Sequence, residues 1–253
     1  MTHAATLRRP TATRTAPLPV IEVFGPTIQG EGAEAGLPTH FVRMGGCDYR
    51  CDWCDTMYAV DPATVRATAE RLGADEIVER VRALPGDPAW TAISGGNPAL
   101  HELGGLVDGL HATGFLVSVE TQGSLWKDWL AAVDRLTVSP KPPSSGMASD
   151  AHAAQFARFM ERALDAAAER AVLKVVVFDE PDLAWARAIG AHYPALPLFL
   201  SAGTPVPGGP NLRDAVGERY RWLCEQVAAD PALRGARVLP QLHVIAWKDA
   251  TGV

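Results

Sequence analysis

The sequence predicts an α/β protein: a mostly parallel sheet covered by helices and curled only part of the way into a barrel. Three observations predict it. Short apolar runs alternate with segments of helical periodicity, joined by short links. The strand–helix units are too few for a complete eightfold barrel, which takes about 250 residues. The unusual motifs all follow apolar runs, at the C-terminal strand ends where parallel sheets carry their chemistry.

The elements follow in order. Residues 1–18 are polar and rich in Thr, Ala and Pro, and are expected to form a disordered tail before a single domain over 19–253. Arg8 and Arg9 could open a twin-arginine export signal, but no apolar stretch follows them. VIEVF (20–24) and THFVRM (39–44) read as strands. A helix is expected over 75–84, with Ile77, Val78, Val81 and Leu84 on one face. AWTAIS (89–94) is a strand, 100–112 a helix stopped by Gly114, FLVSVE (115–120) a strand, 125–133 a short helix, and RLTV a strand running into Pro140. Residues 151–170 form an amphipathic helix with Phe156, Phe159, Met160, Ala163, Leu164 and Ala167 inward. VLKVVVF (172–178) is a buried strand, 182–191 a helix, LPLFLS (196–201) a strand and 203–210 a Gly/Pro-rich loop. A helix over 212–228 precedes RVLPQLH, a strand entering a loop.

Composition excludes several classes. The net charge is −6 with no basic stripe, which argues against nucleic acid as a partner. No apolar run approaches the roughly 20 residues of a membrane-spanning helix. Four cysteines, three of them clustered, make no disulfide framework, so the expected compartment is the reducing cytoplasm.

The cluster is GGCDYRCDWCDT, with Cys47, Cys51 and Cys54 in one loop. A disulfide would strand one thiol. A structural zinc site normally draws on two close pairs of ligands, and here His40 or Cys224 would each stand alone as a fourth. A nucleophile needs one cysteine and a base. Three close thiolates suit an iron–sulfur cluster, with one iron left open to a non-protein ligand. Cys224 itself reads as a small buried apolar residue.

C-x3-C-x2-C with Trp53 before the last cysteine resembles the signature of the radical S-adenosylmethionine (SAM) superfamily. SGGNP (94–98) is similar to that superfamily's GGEP segment, with Asn97 where Glu is usual. TIQGEG (27–32), Arg43 four residues before Cys47, the CDT ending, ETQG (120–123), SPK (139–141), LKVVV (173–177) and PQLH (240–243) together resemble the 7-carboxy-7-deazaguanine synthase (QueE) family, over roughly residues 20–248.

The resemblance implies a radical SAM core, a partial, open TIM-like barrel. It implies a [4Fe-4S] cluster, SAM and Mg2+, and contraction of 6-carboxy-5,6,7,8-tetrahydropterin with loss of ammonia, on the route to queuosine and other deazapurines. Cys47, Cys51 and Cys54 would hold the cluster and Thr56 the Mg2+, whose waters Asp55 would steady. Trp53, Gly96, Asn97, Ser139, Pro140, Lys141, Ser201, Ala202, Gly203 and Thr204 would meet SAM. Ile28, Gln29, Gly30, Glu31, Arg43, Ser94 and His243 would meet the pterin, with Glu120 and His243 as catalytic candidates. A homodimer and an electron donor such as flavodoxin or ferredoxin are further expectations. Two rival readings are a glycyl-radical-enzyme activating enzyme, which TIQGEG and CDT disfavour, and a zinc-stabilised binding module.

Overall fold

The computed structural model describes residues 16–204, 212–248, 250 and 252. The expected tail lies outside them up to residue 15, and its last residue, Leu18, opens the first strand. The Gly/Pro-rich loop lies outside them beyond Thr204. In chain order the elements are β1 (Leu18–Ile28), β2 (Pro38–Met44), α1 (Met57–Val60), α2 (Pro62–Thr68), β3 (Glu70–Leu72), α3 (Ala74–Arg82), β4 (Trp90–Gly95), α4 (Gly104–Ala112), β5 (Leu116–Thr121), β6 (Arg135–Val138), α5 (Asp150–Ala167), β7 (Ala171–Val177), α6 (Glu180–His192), β8 (Leu198–Ala202), α7 (Leu212–Ala229), β9 (Arg237–Leu239) and α8 (Leu242–Trp247).

Among the described residues one sheet holds nine strands, in the order β3-β1-β2-β4-β5-β6-β7-β8-β9. From β2 to β9 every pairing is parallel. β1 runs antiparallel to both β2 and β3. β3 and β9 are separate edges, so the sheet is open.

Alternation along the strands sorts the two faces. Val42, Met44, Ile93, Val117, Val119, Leu136, Val138, Leu173, Val175, Val177, Leu198, Leu200 and Ala202 join one core with apolar residues of α3, α4, α5, α6 and α7. Because successive side chains point to opposite faces, Arg43, Ser94, Glu120, Thr137, Lys174 and Ser201 occupy the other face. These six polar side chains come from six different strands and share their face with apolar residues such as Val172, Val176 and Phe199.

The local reasons are ordinary. Asp179 caps α6 by accepting from the Asp182 N–H at 3.0 Å, with Pro181 in the first turn. Gly114 follows α4 at φ +92°, the left-handed stop the sequence implied. The differences from expectation are local too. The helix expected from residue 100 begins at Gly104, because Asn97 caps a separate 3-10 turn over Pro98–Leu100. The helix expected over 125–133 is a 3-10 turn, Asp128–Ala132. PQLH leads into α8 rather than a loop, so His243 stands on a helix. β1 extends through Thr27 and Ile28, the first residues of TIQGEG. α1, α2 and β3 lack a long apolar period and went unpredicted.

Candidate active site

The cysteine loop leaves β2 after Met44 and is pinned from several sides. Gly46 N–H donates to Ala59 O at 2.7 Å, and Gly46 O accepts from the Asn97 N–H at 2.7 Å. The Asp52 N–H donates to Ser145 O at 3.0 Å, and His101 Nε2 donates to Gly45 O at 2.9 Å. Gly96 crosses this loop so closely that a Cβ there would lie 2.1 Å from Gly46 O and 3.0 Å from Cys47 Cβ. Glycine at residue 96 is thus required by backbone approach.

All three loop cysteines are free thiols, Cys51 buried and the other two half-buried. Burial pushes the Cys47 thiol up and drives Cys51 to about 11, only partly countered by the charge of Lys141. Such thiols become thiolates when an electropositive group binds them and releases their protons. Among the described residues no three His, Cys, Asp or Glu side chains close round a point where one metal ion could sit. A mononuclear zinc would need that, with sulfur about 2.3 Å from the ion. A cluster takes its thiolates at separate irons, so three unpaired thiols on one loop fit it.

Beside the loop, Trp53 donates its indole N–H to Ser144 Oγ at 3.0 Å and lies 5.1 Å from the Phe178 ring, centroid to centroid. Lys141 Nζ sits 5.8 Å from the Trp53 ring centroid and donates to Ser139 Oγ at 3.0 Å. Gly203 abuts Phe178, and Thr204 Oγ1 donates to Gln241 Oε1. Pro140 and Ala202 lie in the same strand ends, both buried. The hydroxyls of Ser94 and Ser201 are buried and find no partner among the described residues. Buried orphan hydroxyls are what a bound polar molecule would satisfy.

Asn97 is fully enclosed. Its Nδ2 donates to Asp48 Oδ1 at 2.9 Å and Ser124 Oγ at 3.1 Å, and its Oδ1 accepts from the Ala99 N–H at 3.1 Å and Thr121 Oγ1 at 2.8 Å. Its full capacity is spent, so any contact from its carbonyl to a ligand would displace one of these bonds. Thr56 precedes α1, but its hydroxyl caps nothing and lies 3.7 Å from Cys54 Sγ. Asp55 beside it is exposed.

Across the sheet, Arg43 Nε donates to Glu22 Oε1 at 2.5 Å, and Tyr58 OH donates to the same oxygen at 3.0 Å. The guanidinium stands 5.7 Å from the Phe24 ring centroid. Gln29 and Gly30 continue from Ile28, with the Gln29 N–H bonded to Leu37 O. Gly30 abuts His243, and the Leu242 N–H donates to Gly30 O at 3.1 Å. Lys174, buried on β7, bonds Glu31 Oε2 at 2.6 Å and Glu120 Oε1 at 2.8 Å, and Gln241 Nε2 donates to Glu31 Oε1 at 2.9 Å. The fold therefore brings TIQGEG, the end of β5 and the C-terminal segment together. Sequence reasoning missed Glu22, Asp48, Gln122, Lys174 and Gln241. Lys174 carried a signal, a lone charge within an apolar strand run.

No protein-family model matches the chain. The 7-carboxy-7-deazaguanine synthase of Bacillus cereus is 38% identical over 241 residues, covering 93% of this chain and 99% of that protein. The chain belongs to the 7-carboxy-7-deazaguanine synthase family. The family's Bacillus subtilis synthase is 37% identical over 93% of this chain and 98% of its own. Among solved structures, QueE from Escherichia coli superposes with a TM-score of 0.61 at 22% identity, covering 88% of this chain and 93% of its own. Streptococcus suis SuiB, bound to its precursor peptide SuiA, gives 0.52 at 10% identity, covering 82% of this chain and 50% of SuiB. At those identities the two structures speak for the fold alone. The 7-carboxy-7-deazaguanine synthase family makes the chain an enzyme, a lyase of the radical SAM type.

Proposed function

We infer that the chain forms 7-carboxy-7-deazaguanine from 6-carboxy-5,6,7,8-tetrahydropterin, with release of ammonia. The observation that carries this is that Glu31 of TIQGEG meets Glu120 at the end of β5 through Lys174 while Gln122, two residues on, reaches Cys47 and Asp48 of the three-thiol loop, in a chain 38% identical to a synthase of that name. When bound, the cluster and SAM supply a 5'-deoxyadenosyl radical that removes a hydrogen atom from the substrate. Cys47, Cys51 and Cys54 are the residues that would hold the cluster.

The chain's own residues divide the remaining work. Trp53, Gly96, Ser139, Pro140, Lys141 and Ser201 to Thr204 line the cysteine-loop end and are proposed to bind SAM, with Asn97 bracing the floor. The orphan hydroxyl of Ser201 supports that assignment. Arg43, steadied by Glu22, presents a planar fork suited to a carboxylate. Ile28, Gln29, Gly30, Glu31, Ser94 and His243 are proposed to surround the pterin. Glu120, at a strand end and with its side chain 35% exposed, is proposed to accept a proton from the ring. Thr56, with a hydroxyl that caps nothing, is proposed as the Mg2+ ligand, with Asp55 on its waters.

The proposal extends to a single domain over 19–253 and a reducing, cytoplasmic setting with a flavodoxin or ferredoxin donor. Free thiols suit that setting. It extends also to a homodimer, which sedimentation would test.

The decisive experiment is anaerobic incubation with the carboxylated tetrahydropterin, SAM, a reductant and Mg2+. Appearance of the deazaguanine chromophore, lost in Cys47→Ala, is the expected result. SAM cleavage stimulated by a protein partner instead, with no deazaguanine, would overturn the reading in favour of an activating enzyme.

A further inference from the structure

Lys174 is 2% exposed in a strand whose seven residues are all buried. An ammonium in such a place must be paired or lose its proton. It is paired twice, with Glu31 at 2.6 Å and Glu120 at 2.8 Å. The partners come from distant parts of the chain. Glu31 lies beyond β1, Glu120 in β5, and the Gln241 amide that holds the second Glu31 oxygen lies just before α8. One ammonium against two carboxylates leaves one negative charge over. Neither carboxylate is closed off as Lys174 is, their side chains being 17% and 35% exposed against 3%.

We propose that Lys174 is a positioning residue for substrate choice, holding Glu31 as an anchored carboxylate with Glu120 beside it so that one surplus negative charge selects a ligand with a guanidine-like N–H edge. This rests on the pterin reading above and names what would distinguish that ring from its deaminated analogue. Two hydrogen bonds, to Lys174 and Gln241, fix the plane of the Glu31 carboxylate. Its remaining lone pairs are then presented in a set direction, as planar two-point recognition requires.

The charges around Glu31 are Lys174 on β7, Glu120 on β5 and His243 on α8, with the Glu34–Arg135 pair next to Glu120. Burial alone pushes the Glu31 carboxyl up. Lys174, then His243, and the two hydrogen bonds outweigh it and hold the group at about 2. Burial likewise pulls Lys174 down, and its two carboxylates more than reverse that. Burial is already the largest single influence on Glu31, so with Lys174 removed only His243 and Gln241 oppose it, and the carboxyl shifts upward.

The test is binding of two stable probes, 6-carboxypterin and 6-carboxylumazine, which has an oxo group in place of the 2-amino group. Fluorescence titration would follow wild type, Lys174→Met, Lys174→Arg and Lys174→Met/Glu31→Gln from pH 5.5 to 8. Wild type should prefer the pterin by about tenfold or more, the worth of a hydrogen bond to a charged group. Lys174→Met should lose that preference and bind the pterin better as pH rises. Lys174→Arg should keep most of the preference, and the double variant should be no weaker than Lys174→Met. If Lys174→Met does not fold, the wild-type ratio still decides, and a ratio near one overturns the inference. Retention of the preference by folded Lys174→Met also overturns it. Binding of neither probe by wild type would instead sink the pterin reading itself.

Discussion

Gly96→Ala should dislodge the cysteine loop without touching a cysteine. A Cβ at residue 96 would stand 2.1 Å from Gly46 O and 2.5 Å from Gly46 C. Gly46 must therefore retreat by about 1 Å to reach van der Waals separation. That motion breaks the 2.7 Å bond from the Asn97 N–H to Gly46 O, worth about 1 kcal/mol. Overpacking adds about 1–3 kcal/mol. The total, about 2–4 kcal/mol, should lower Tm by roughly 5–15 °C in a chain of this size. Because Cys47 follows Gly46 directly, catalysis should fall about a hundredfold, the usual cost of a misplacement near 1 Å. Iron and sulfide content after anaerobic reconstitution, Tm by calorimetry and turnover are the assays. Gly217→Ala is the control. It lies in α7 with nothing within 4 Å of its Cβ, and should gain about 0.5–1 kcal/mol. Gly96→Ala with wild-type iron content, Tm and turnover would refute the reasoning.

Four further outcomes follow from other contacts. Asn97→Asp replaces a donor to Asp48 with a second carboxylate in a fully enclosed site. It should cost about 3 kcal/mol, and a Tm within a degree of wild type would contradict this. Arg135→Met leaves Glu34, whose side chain is 6% exposed, without its 2.7 Å partner. Chemical denaturation should show a loss of about 3 kcal/mol, and no change would mean that the pair is dispensable. Thr56→Val should abolish Mg2+ stimulation while iron content stays at the wild-type level, so unaltered Mg2+ dependence would dismiss Thr56 as a ligand. Burial holds the His101 pKa below its usual 6.5, with Arg71 and Lys127 adding repulsion against the opposing hydrogen bond to Gly45. The folded state therefore takes up this proton less readily than the unfolded chain, and the associated stability is present above 6.5 and lost as pH falls below it. Tm measured from pH 8 to 5 should fall more steeply in wild type than in His101→Gln, and equal slopes would exclude His101 as the cause.

The sheet was legible because its information is local. Val42 and Met44, or Leu173, Val175 and Val177, announce a buried face by alternation or by an unbroken apolar run. Order along the chain then yields a parallel sheet. The antiparallel β1 was not legible as such, since VIEVF has the same composition whichever way it pairs. Residues 57–72 went unread because a four-residue helix and a three-residue strand are too short to show a period. α8 went unread because RVLPQLH reads as a strand entering a loop, and a six-residue helix is too short to show a period.

The site divides in the same way. Cysteines, glycines and motif residues are recognisable by type and spacing, so the cysteine loop and TIQGEG could be picked out singly. What spacing does not carry is which side chain spends its hydrogen bonds on which. Asn97 shows the consequence. As a letter in SGGNP it is a missing acid, a lost charge for a ligand. In the fold its two N–H donors serve Asp48 and Ser124, and its carbonyl serves Ala99 and Thr121. A glutamate there could accept but could not donate, and it would face the Asp48 carboxylate with like charge. Gln122 Nε2 donates to the same Asp48 oxygen at 2.6 Å. Asparagine at residue 97 therefore belongs with Asp48 and Gln122 as one set. A substitution at any of the three is best read against the other two, since groups sharing one hydrogen-bond network do not act additively.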